Sequence, residues 1–156
     1  IEPRVIASFS EDPIMMKNYL EGGDIYTTVG DTMGVDRKAG KVLVLSMAYG
    51  VGPDKIAKSI GCSITAARDL LNKFSERFKT VSSYRAKVLG ATRHGRPPFV
   101  TTITGRRRYL PEIFSKDPGV RAGAERQAFN TRIQGSAADI IKIAMVRGPH
   151  YASRTG

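Results

Sequence analysis

The stretch RKAGKVLVLSMAYG, residues 37–50, predicts a helix with two chemically different ends. Three cations fall within its first five residues, a run of four apolar residues lies near its middle, and a Tyr-Gly pair closes it. We expect this helix to run from Arg37 to Ala48 despite Gly40, which costs about 1 kcal/mol relative to alanine. Every fourth residue then lies on one slowly turning stripe. The stripe consists of Arg37, Lys41, Leu45 and Tyr49.

The chemistry of this stripe suits a ligand with phosphates at one end and a flat group at the other. Arg37 and Lys41 lie one turn apart, so a planar fork and a mobile point charge reach the same polyphosphate. Leu45 lies a turn further on, and Tyr49 offers a stacking face about 18 Å from Arg37 at 1.5 Å per residue. A nucleoside triphosphate fits such a stripe. Taken alone, the helix is better explained as an ordinary amphipathic helix with solvated cations and a buried Leu and Tyr.

The excess of positive charge points to a polyanionic partner. Lys and Arg number 25 against 14 acidic residues, which gives a net charge of +11 and a pI of about 10.1. Nucleic acid is the first expectation and an anionic membrane the second, with a merely soluble basic protein as the alternative. No apolar run approaches the ~18 residues of a membrane span, so we expect no membrane-spanning segment. With nucleic acid as the favoured polyanion, we expect no membrane partner.

Hydrophobic spacing and turn residues predict mostly helix with a minority of strand, which is an α+β fold class. In chain order, the expected elements are a strand end running into a short helix over 1–10, short helices over 13–20, 24–34 and 53–60, a longer helix over 63–78, a β-hairpin over 93–113 and a helix over 122–146. Ser63 is expected to cap the longer helix, Gly105 to turn the hairpin, and Gly135 to kink the last helix or admit a close neighbour.

Two of these helices carry apolar faces that predict the core. The face of the longer helix is Ile64, Ala67, Leu70, Leu71, Phe74 and Phe78. The face of the last helix is Ala128, Ile133, Ala137, Ile140, Ile141 and Ala144. Asp139 is interpreted as a helix-face residue, and residues 147–156 as a tail without apolar periodicity.

A second DNA-related pattern lies in KIAKSIGCSITAARDLLNKF, residues 55–74. It predicts helix, a turn centred on Gly61, and a second helix, as in a helix-turn-helix whose second helix enters the major groove. An αα-hairpin with these residues is common, so ordinary packing is the favoured explanation. A non-enzymatic helix-turn-helix DNA-binding module remains the alternative function.

Two polar clusters follow in the second half of the chain. Residues Arg106 to Arg108 come after a glycine turn, and on a strand at most two of the three face one phosphate surface. A solvated basic loop is the alternative. Arg126, Asn130 and Gln134 share one helical stripe, where such groups hydrogen-bond bases and sugars, or form a polar helix edge.

Together these stretches resemble the family A DNA polymerases, of the DNA polymerase I type, with motifs in the family's order over nearly the whole chain. The matching segments are IEPRVIASFSED with the second half of motif A, EGGDIYTTVGDTMGV with the segment leading into the fingers, RKAGKVLVLSMAYG with motif B on the O helix, and GRRRYLPEI and ERQAFNTRIQGSAADIIKIAMV with the end of the fingers and the palm helix. The resemblance implies part of a right-hand polymerase. It assigns 1–22 to a partial palm, 23–118 to the fingers including the O helix, and 119–156 to a partial palm helix.

The resemblance also implies a deoxynucleoside triphosphate (dNTP) site. In it Arg37 and Lys41 are the catalytic residues that hold the incoming triphosphate, and Lys41 donates a proton to the leaving pyrophosphate. Tyr49 lies by the nascent base pair and hydrogen-bonds Glu2, which acts as the steric gate against a ribose 2′-OH. Tyr26 packs beside the nucleotide.

Contacts to primer-template DNA are implied for Arg4 and for the stripe of Arg126, Asn130 and Gln134. The implied partners are therefore primer-template DNA and dNTPs. The implied location is the cytoplasm of a bacterial cell or of a phage-infected host.

The family's metal site is absent from the matching motifs. Family members bind Mg²⁺ with two aspartates, one just upstream of Ile1-Glu2 and one in a His-Asp-Glu motif beyond the palm helix, and neither is present in this chain. Two-metal phosphoryl transfer needs both carboxylates. We therefore expect Mg²⁺ in the parent enzyme, no metal ligand in this segment, and no polymerase activity from these 156 residues alone.

Leu45 is a second departure, because the best-known family members carry Phe or Tyr there and some phage-like enzymes carry Leu. Pro3 replaces the usual Leu, and Val44-Leu45-Ser46 replaces a common Asn-Phe-Gly. These differences imply a phage-like or environmental viral branch. Without a Tyr hydroxyl to replace the missing sugar 3′-OH, the full enzyme is expected to reject dideoxynucleotides.

Overall fold

The computed structural model describes the backbone of residues 1–152 and the side chains through Arg147. Helix dominates this part of the chain, with one two-stranded sheet, so the predicted α+β, mostly helical class is confirmed. The chain packs as two compact units, of which the first is Ile1–Lys87 and the second begins at Val88. The palm and fingers assignments over 1–22, 23–118 and 119–156 remain predictions.

Helices make up the first unit, and a hairpin followed by a long helical segment makes up most of the second. The helices before the hairpin are α1 (Glu2–Ser10), α2 (Pro13–Leu20), α3 (Ile25–Met33), α4 (Arg37–Tyr49), α5 (Pro53–Ile60), α6 (Ile64–Arg77) and α7 (Lys79–His94). After them come β1 (Phe99–Thr101), β2 (Arg107–Tyr109), a 3-10 turn (Pro111–Phe114), α8 (Pro118–Asn130), a π-helical turn (Thr131–Gly135) and α9 (Ser136–Ala152).

The strand predicted at the start of the chain is wrong, because helix begins at Glu2. Pro3 occupies the first turn of α1, where its missing N–H costs nothing and its fixed φ suits a helix. Residues 5–7 are buried, so packing of this turn against the unit outweighs the strand preference of Val5 and Ile6.

Side-chain caps start several helices of the first unit. Asp36 accepts a hydrogen bond from the N–H of Ala39 at 2.7 Å, and Ser63 accepts one from the N–H of Ala66 at 3.1 Å, which confirms the predicted cap. Gly50 ends α4 in the left-handed region at φ 60°, where glycine carries no steric cost. Helix α4 thus covers the predicted range plus Tyr49.

A close backbone approach joins α3 to α4. A Cβ placed on Gly40 would lie 2.3 Å from the carbonyl oxygen of Tyr26 and 2.8 Å from the backbone nitrogen of Gly30. A Cβ on Gly30 would lie 2.8 Å from the carbonyl oxygen of Val35. Only glycine fits at either position, so Gly40 serves this contact and is not a defect in the helix.

The longer predicted helix is present as α6, and α7, which the sequence patterns did not predict, follows it directly. Helix α6 ends at Arg77, and Phe78 lies at its C-cap before α7 begins. Phe74 and Phe78 are fully buried with ring centroids 4.6 Å apart, as their apolar spacing predicts. Ile64 is 49% exposed, so its predicted place in the core is wrong. Ile64 is the first residue of α6, and its side chain is exposed at the N-terminal end of this helix.

The hairpin pairs β1 with β2 in antiparallel register, with Val100 opposite Arg108, and Gly105 turns it at φ 85° as predicted.

The last helix is continuous, but its pitch changes at the π-helical turn. Ile140 and Ile141 are 37% and 43% exposed, so the predicted apolar face is buried only as far as Ala137. A π turn holds an extra residue, which rotates the side chains that follow by about 100°.

The predicted tail over 147–156 is partly wrong, because α9 continues to Ala152. The last four residues of the chain lie outside the described part. Within residues 1–152 we find no helix that is both long and apolar enough to cross a membrane.

Replacing Gly40 with alanine tests the contact between α3 and α4. We expect Gly40→Ala to lower the free energy of unfolding by about 1–3 kcal/mol, because the new methyl group meets rigid backbone atoms. Chemical denaturation followed by circular dichroism measures this change.

Gly90→Ala is the matched control, since Gly90 lies inside α7 and a Cβ there meets nothing within 4 Å. This substitution is expected to raise the free energy of unfolding by about 0.5–1 kcal/mol through helix propensity alone. Equal stabilisation by both substitutions would contradict the close approach.

Candidate functional site

The predicted stripe of α4 lies on the surface of the first unit. Arg37 and Lys41 are exposed, and Leu45 and Tyr49 are half-buried. Other faces of the helix carry its core residues, of which Leu43 and Val44 are fully buried and Ala48 nearly so. Helix α4 therefore divides into a packed side and an accessible stripe, and the stripe has cations at its N-terminal end.

Tyr26 lies beside the two cations of the stripe. Its ring centroid is 5.5 Å from the guanidinium carbon of Arg37 and 6.0 Å from Nζ of Lys41. The contact between Gly40 and the carbonyl of Tyr26 brings the ring to this position. A cation over an aromatic face is stabilised modestly, by about 0.5–1 kcal/mol at exposed sites. The three side chains form an exposed cationic cluster with an aromatic wall on one side.

Asp24 is a partner of Arg37 that sequence reasoning missed. Nε of Arg37 donates to Oδ2 of Asp24 at 2.5 Å, and the same carboxylate accepts from the hydroxyl of Thr27 and the N–H of Tyr26. The hydrogen bond from Arg37, followed by those from Thr27 and Tyr26, holds the pKa of Asp24 below its usual range despite the opposing effect of burial. Asp24 precedes a helix, so sequence alone indicates only its capping role.

The ion pair leaves much of Arg37 accessible. The side chains of Arg37 and Asp24 are 60% and 40% exposed, and exposed pairs of this kind contribute little to stability. A guanidinium carries five N–H donors in a fixed fork. A second anion thus has donors available on Arg37 even while Asp24 occupies Nε.

Tyr49 and Glu2 are joined across the first unit. The hydroxyl of Tyr49 donates to Oε2 of Glu2 at 2.9 Å in a partly buried setting. This is the hydrogen bond implied by the resemblance, and it ties the last residue of α4 to the first residue of α1. The role of Glu2 as a steric gate remains a prediction.

Arg4 is exposed on α1 and lies over the ring of Tyr19, with its guanidinium carbon 4.6 Å from the ring centroid. Burial raises the pKa of Tyr19 to about 12, and the positive charge of Arg4 works against this rise. The contact of Arg4 with DNA remains a prediction.

In the second unit, a cavity of about 340 Å³ collects polar and cationic side chains. Its lining is Thr102, Arg106, Arg107, Arg108, Asn130, Thr131, Gln134 and Gly135. The structure therefore brings Asn130 and Gln134 of the predicted stripe together. Arg126 is exposed on α8 and is not among these lining residues. Within the described part of the chain, Oδ1 of Asn130 is buried and has no hydrogen-bond partner.

The three consecutive arginines have different partners. Arg106 donates to Asp139 at 2.9 Å, Arg107 lies 4.8 Å from the ring centroid of Phe99, and Arg108 donates to Gln127 at 2.9 Å. All three residues line the cavity, but Arg106 and Arg108 donate to residues of the helical segment that follows, whereas Arg107 lies over Phe99. These contacts agree with the alternation expected of a strand, in which at most two of the three arginines share one surface.

Asp139 lies on a helix, α9, as the sequence indicates, but it is bound to the hairpin. It is only 7% exposed, and the hydroxyls of Thr102 and Thr104, with the guanidinium of Arg106, lower the pKa of its carboxyl to about 2 against the effect of burial. No residue at helical spacing from Asp139 indicates these hydrogen bonds, because its partners in the hairpin lie more than thirty positions away in the sequence.

The described residues do not fit a two-metal site. Through Arg147, no group of three or more His, Cys, Asp or Glu side chains is arranged to hold a metal ion. The acidic residues named above are engaged by arginine, tyrosine or threonine. We therefore derive no metal-dependent step from this chain.

The helix-turn-helix pattern is present as two helices, α5 and α6, joined by residues 61–63. Ile56, Ala57 and Ala67 form their shared core, and Val42 of α4 packs against it. Packing against α4 accounts for these apolar residues, in line with the favoured explanation.

Three relatives resemble nearly all of this chain, while the chain spans a small share of each. DNA polymerase I of Streptococcus pneumoniae is 35% identical over 94% of this chain and 18% of the relative. Thermostable DNA polymerase I of Thermus aquaticus is 33% identical with the same shares, and mouse DNA polymerase theta is 35% identical over 94% of this chain and 6% of the relative.

A solved structure and a family model agree with these relatives. The POL domain of Pol1 from M. smegmatis, in complex with DNA primer-template and dNTP, matches all of this chain and 29% of that chain, with a TM-score of 0.86 and 33% identity. The model for DNA polymerase family A matches residues 1–155. This match includes the α4 stripe and the cationic cavity, and it shows that this chain belongs to DNA polymerase family A.

Proposed function

We propose that this chain is the nucleotide-binding and primer-template-binding segment of a template-directed DNA polymerase. The reaction is attack of a primer 3′-OH on a dNTP, with pyrophosphate leaving. The observation that carries the proposal is the surface stripe of α4, which has Arg37, Lys41 and the ring of Tyr26 at one end and the Tyr49–Glu2 pair at the other. The solved relative from M. smegmatis holds both DNA primer-template and dNTP, which supports the same partners here.

At the cationic end, Arg37 and Lys41 bind the triphosphate. The guanidinium fork takes two phosphate oxygens, and the mobile ammonium follows the charge that develops as pyrophosphate leaves. Lys41 is exposed and one turn from Arg37, so it donates a proton to the leaving group. Tyr26 forms the wall beside the phosphates, and Asp24 orients Arg37 through the hydrogen bond to Nε.

At the other end, Leu45 and Tyr49 contact the sugar and base of the incoming nucleotide. Leu45 offers an apolar surface, and the Tyr49 ring is held by the bond from its hydroxyl to Glu2. A carboxylate fixed in this way leaves no room for a ribose 2′-OH, which is the basis for selecting deoxynucleotides.

Primer-template DNA is bound by Arg4, Arg126, Asn130 and Gln134. Asn130 and Gln134 supply amide donors and acceptors suited to base edges and sugars, while the net charge of +11 supplies the sequence-independent attraction to phosphates. The metal chemistry implied by the family requires clustered carboxylates, and the described residues contain no such cluster. The proposed location is the cytoplasm, and the phage-like branch inferred from Leu45 remains a prediction.

The triphosphate contacts are tested with three alanine substitutions on α4. We expect Arg37→Ala and Lys41→Ala each to weaken dNTP binding by about 10-fold or more, because each removes a charge-assisted hydrogen bond. Lys38→Ala is the matched control, since Lys38 is exposed on the same helix but lies off the stripe, and its loss changes affinity by less than about 2-fold. Isothermal titration calorimetry measures the affinities.

Equal losses in all three variants would mean that net charge, and not the stripe, governs binding. Sequence-specific binding of duplex DNA with no affinity for dNTPs would instead favour the helix-turn-helix module built on α5 and α6.

The isolated chain is expected to be inactive. With Mg²⁺, dNTPs and a primed template present, the 156-residue protein should extend no primer, because its described residues form no acidic metal site. Gel electrophoresis of a labelled primer is the measurement. Extension above the level of a protein-free control would refute this expectation.

Leu45 is expected to set the response to dideoxynucleotides. In the full-length enzyme, Leu45→Tyr should raise dideoxynucleotide incorporation relative to dNTP incorporation, because the new hydroxyl replaces the contact of the missing 3′-OH. Single-nucleotide incorporation kinetics measure both substrates, with Leu45→Phe as the control that adds the ring without the hydroxyl. Equal discrimination by the Leu and Tyr forms would contradict the assignment.

A further inference from the structure

The turn of the hairpin is fastened to the first turn of α9, directly after the π-helical turn, through a nearly buried carboxylate. Oδ1 of Asp139 accepts from Nη2 of Arg106 at 2.9 Å, and its Oδ2 accepts from the hydroxyl of Thr104 at 2.7 Å. Asp139 is only 7% exposed, whereas the side chain of Arg106 is 56% exposed. Both carboxylate oxygens are therefore committed to residues of the hairpin turn.

A second set of hydrogen bonds links the same two elements. Oγ of Ser136 accepts from the N–H of Ile103 at 2.9 Å and donates to the carbonyl of Arg132 at 2.6 Å. Arg132 in turn donates from Nη1 to the carbonyl of Thr101 at 3.1 Å. The hairpin thus contacts the π-helical segment at both ends of residues 131–135.

Arg106 also reaches the backbone next to Gln134. Its Nη2 donates to the carbonyl of Gly135 at 3.3 Å, and a Cβ on Gly135 would lie 2.6 Å from Cγ2 of Thr102. A π turn departs from the usual helical hydrogen-bond pattern and needs outside support for its backbone groups. The Asp139–Arg106 pair supplies this support one residue away from Gln134.

We propose that Asp139 is a positioning residue for primer-template binding, acting through Arg106 and Thr104 to hold the π turn so that Gln134 is presented to the DNA. The proposal rests on the proposed function, in which Gln134 contacts the DNA. Both oxygens of Asp139 accept hydrogen bonds from the hairpin turn, so its proposed effect on DNA binding is exerted through those residues.

Charge and positioning make opposite predictions for the removal of this carboxylate. Asp139 places a negative charge beside a cavity lined by three arginines, so electrostatics alone predicts that Asp139→Asn binds a polyanion more tightly. Loss of positioning predicts weaker binding, because Arg106 is released and Gln134 is no longer held. The sign of the change therefore separates the two effects.

The test measures binding of the full-length protein to a fluorescent primer-template by anisotropy. We expect Asp139→Asn to weaken binding about 10-fold, the loss typical of a base-edge contact. Glu112→Gln is the charge-matched control, since Glu112 is an exposed acid in the same unit, and it should bind equally or slightly more tightly. Tighter binding by Asp139→Asn would overturn the proposal.

Two further comparisons separate positioning from general destabilisation. In a Gln134→Ala background, Asp139→Asn should change affinity less than about 2-fold, because the group that it positions is already gone. Additive losses would overturn the proposal. Should circular dichroism show that Asp139→Asn does not fold, Thr104→Val is used in its place, because it removes the hydroxyl that donates to Asp139. Thr104→Ser, which keeps the hydroxyl, should bind with wild-type affinity. Equal affinities of the Val and Ser variants would overturn the proposal.

Failure of this inference is distinct from failure of the proposed function. If the wild-type protein binds no primer-template, both are overturned. If wild-type binding is normal and Gln134→Ala weakens it while Asp139→Asn does not, only the positioning role is overturned.

Discussion

The backbone contact between α3 and α4 is the constraint on which the proposed nucleotide site depends. Because Gly40 has no side chain, its Cα lies against the carbonyl of Tyr26 and the backbone of Gly30. Tyr26 is thereby placed beside the two cations of the stripe, and α4 presents its opposite faces to the core. Gly40, a residue that weakens helices, thus sets the position of the Tyr26 ring. The cost of Gly40 in helix propensity is small beside the packing that this glycine permits.

Formal charge overstates how many cations are available to a polyanion. Arg37 is shared with Asp24, and Arg106 is paired with a nearly buried Asp139. The first pair is exposed and weak, so its arginine stays open to phosphate, whereas the second holds the hairpin against the start of α9. Two arginine–aspartate pairs therefore have different consequences, and burial of the carboxylate decides which.

Local patterns predicted much of this structure. The stripe of α4, the cap at Ser63 and the turn at Gly105 follow from spacing and from residue chemistry within a few positions. Contacts across the fold did not follow, because nothing near Asp139 in the sequence reveals partners in the hairpin. The π-helical turn was also missed, since its residues fit an ordinary helical period.

The most direct test of the proposed nucleotide site is a titration of the isotopically labelled protein with a dNTP, followed by NMR. The account predicts that the largest shifts fall on Arg37, Lys41 and Tyr26, with smaller shifts toward Tyr49 at the far end of α4. Shifts confined to α5 and α6, or no shifts at millimolar dNTP, would contradict it.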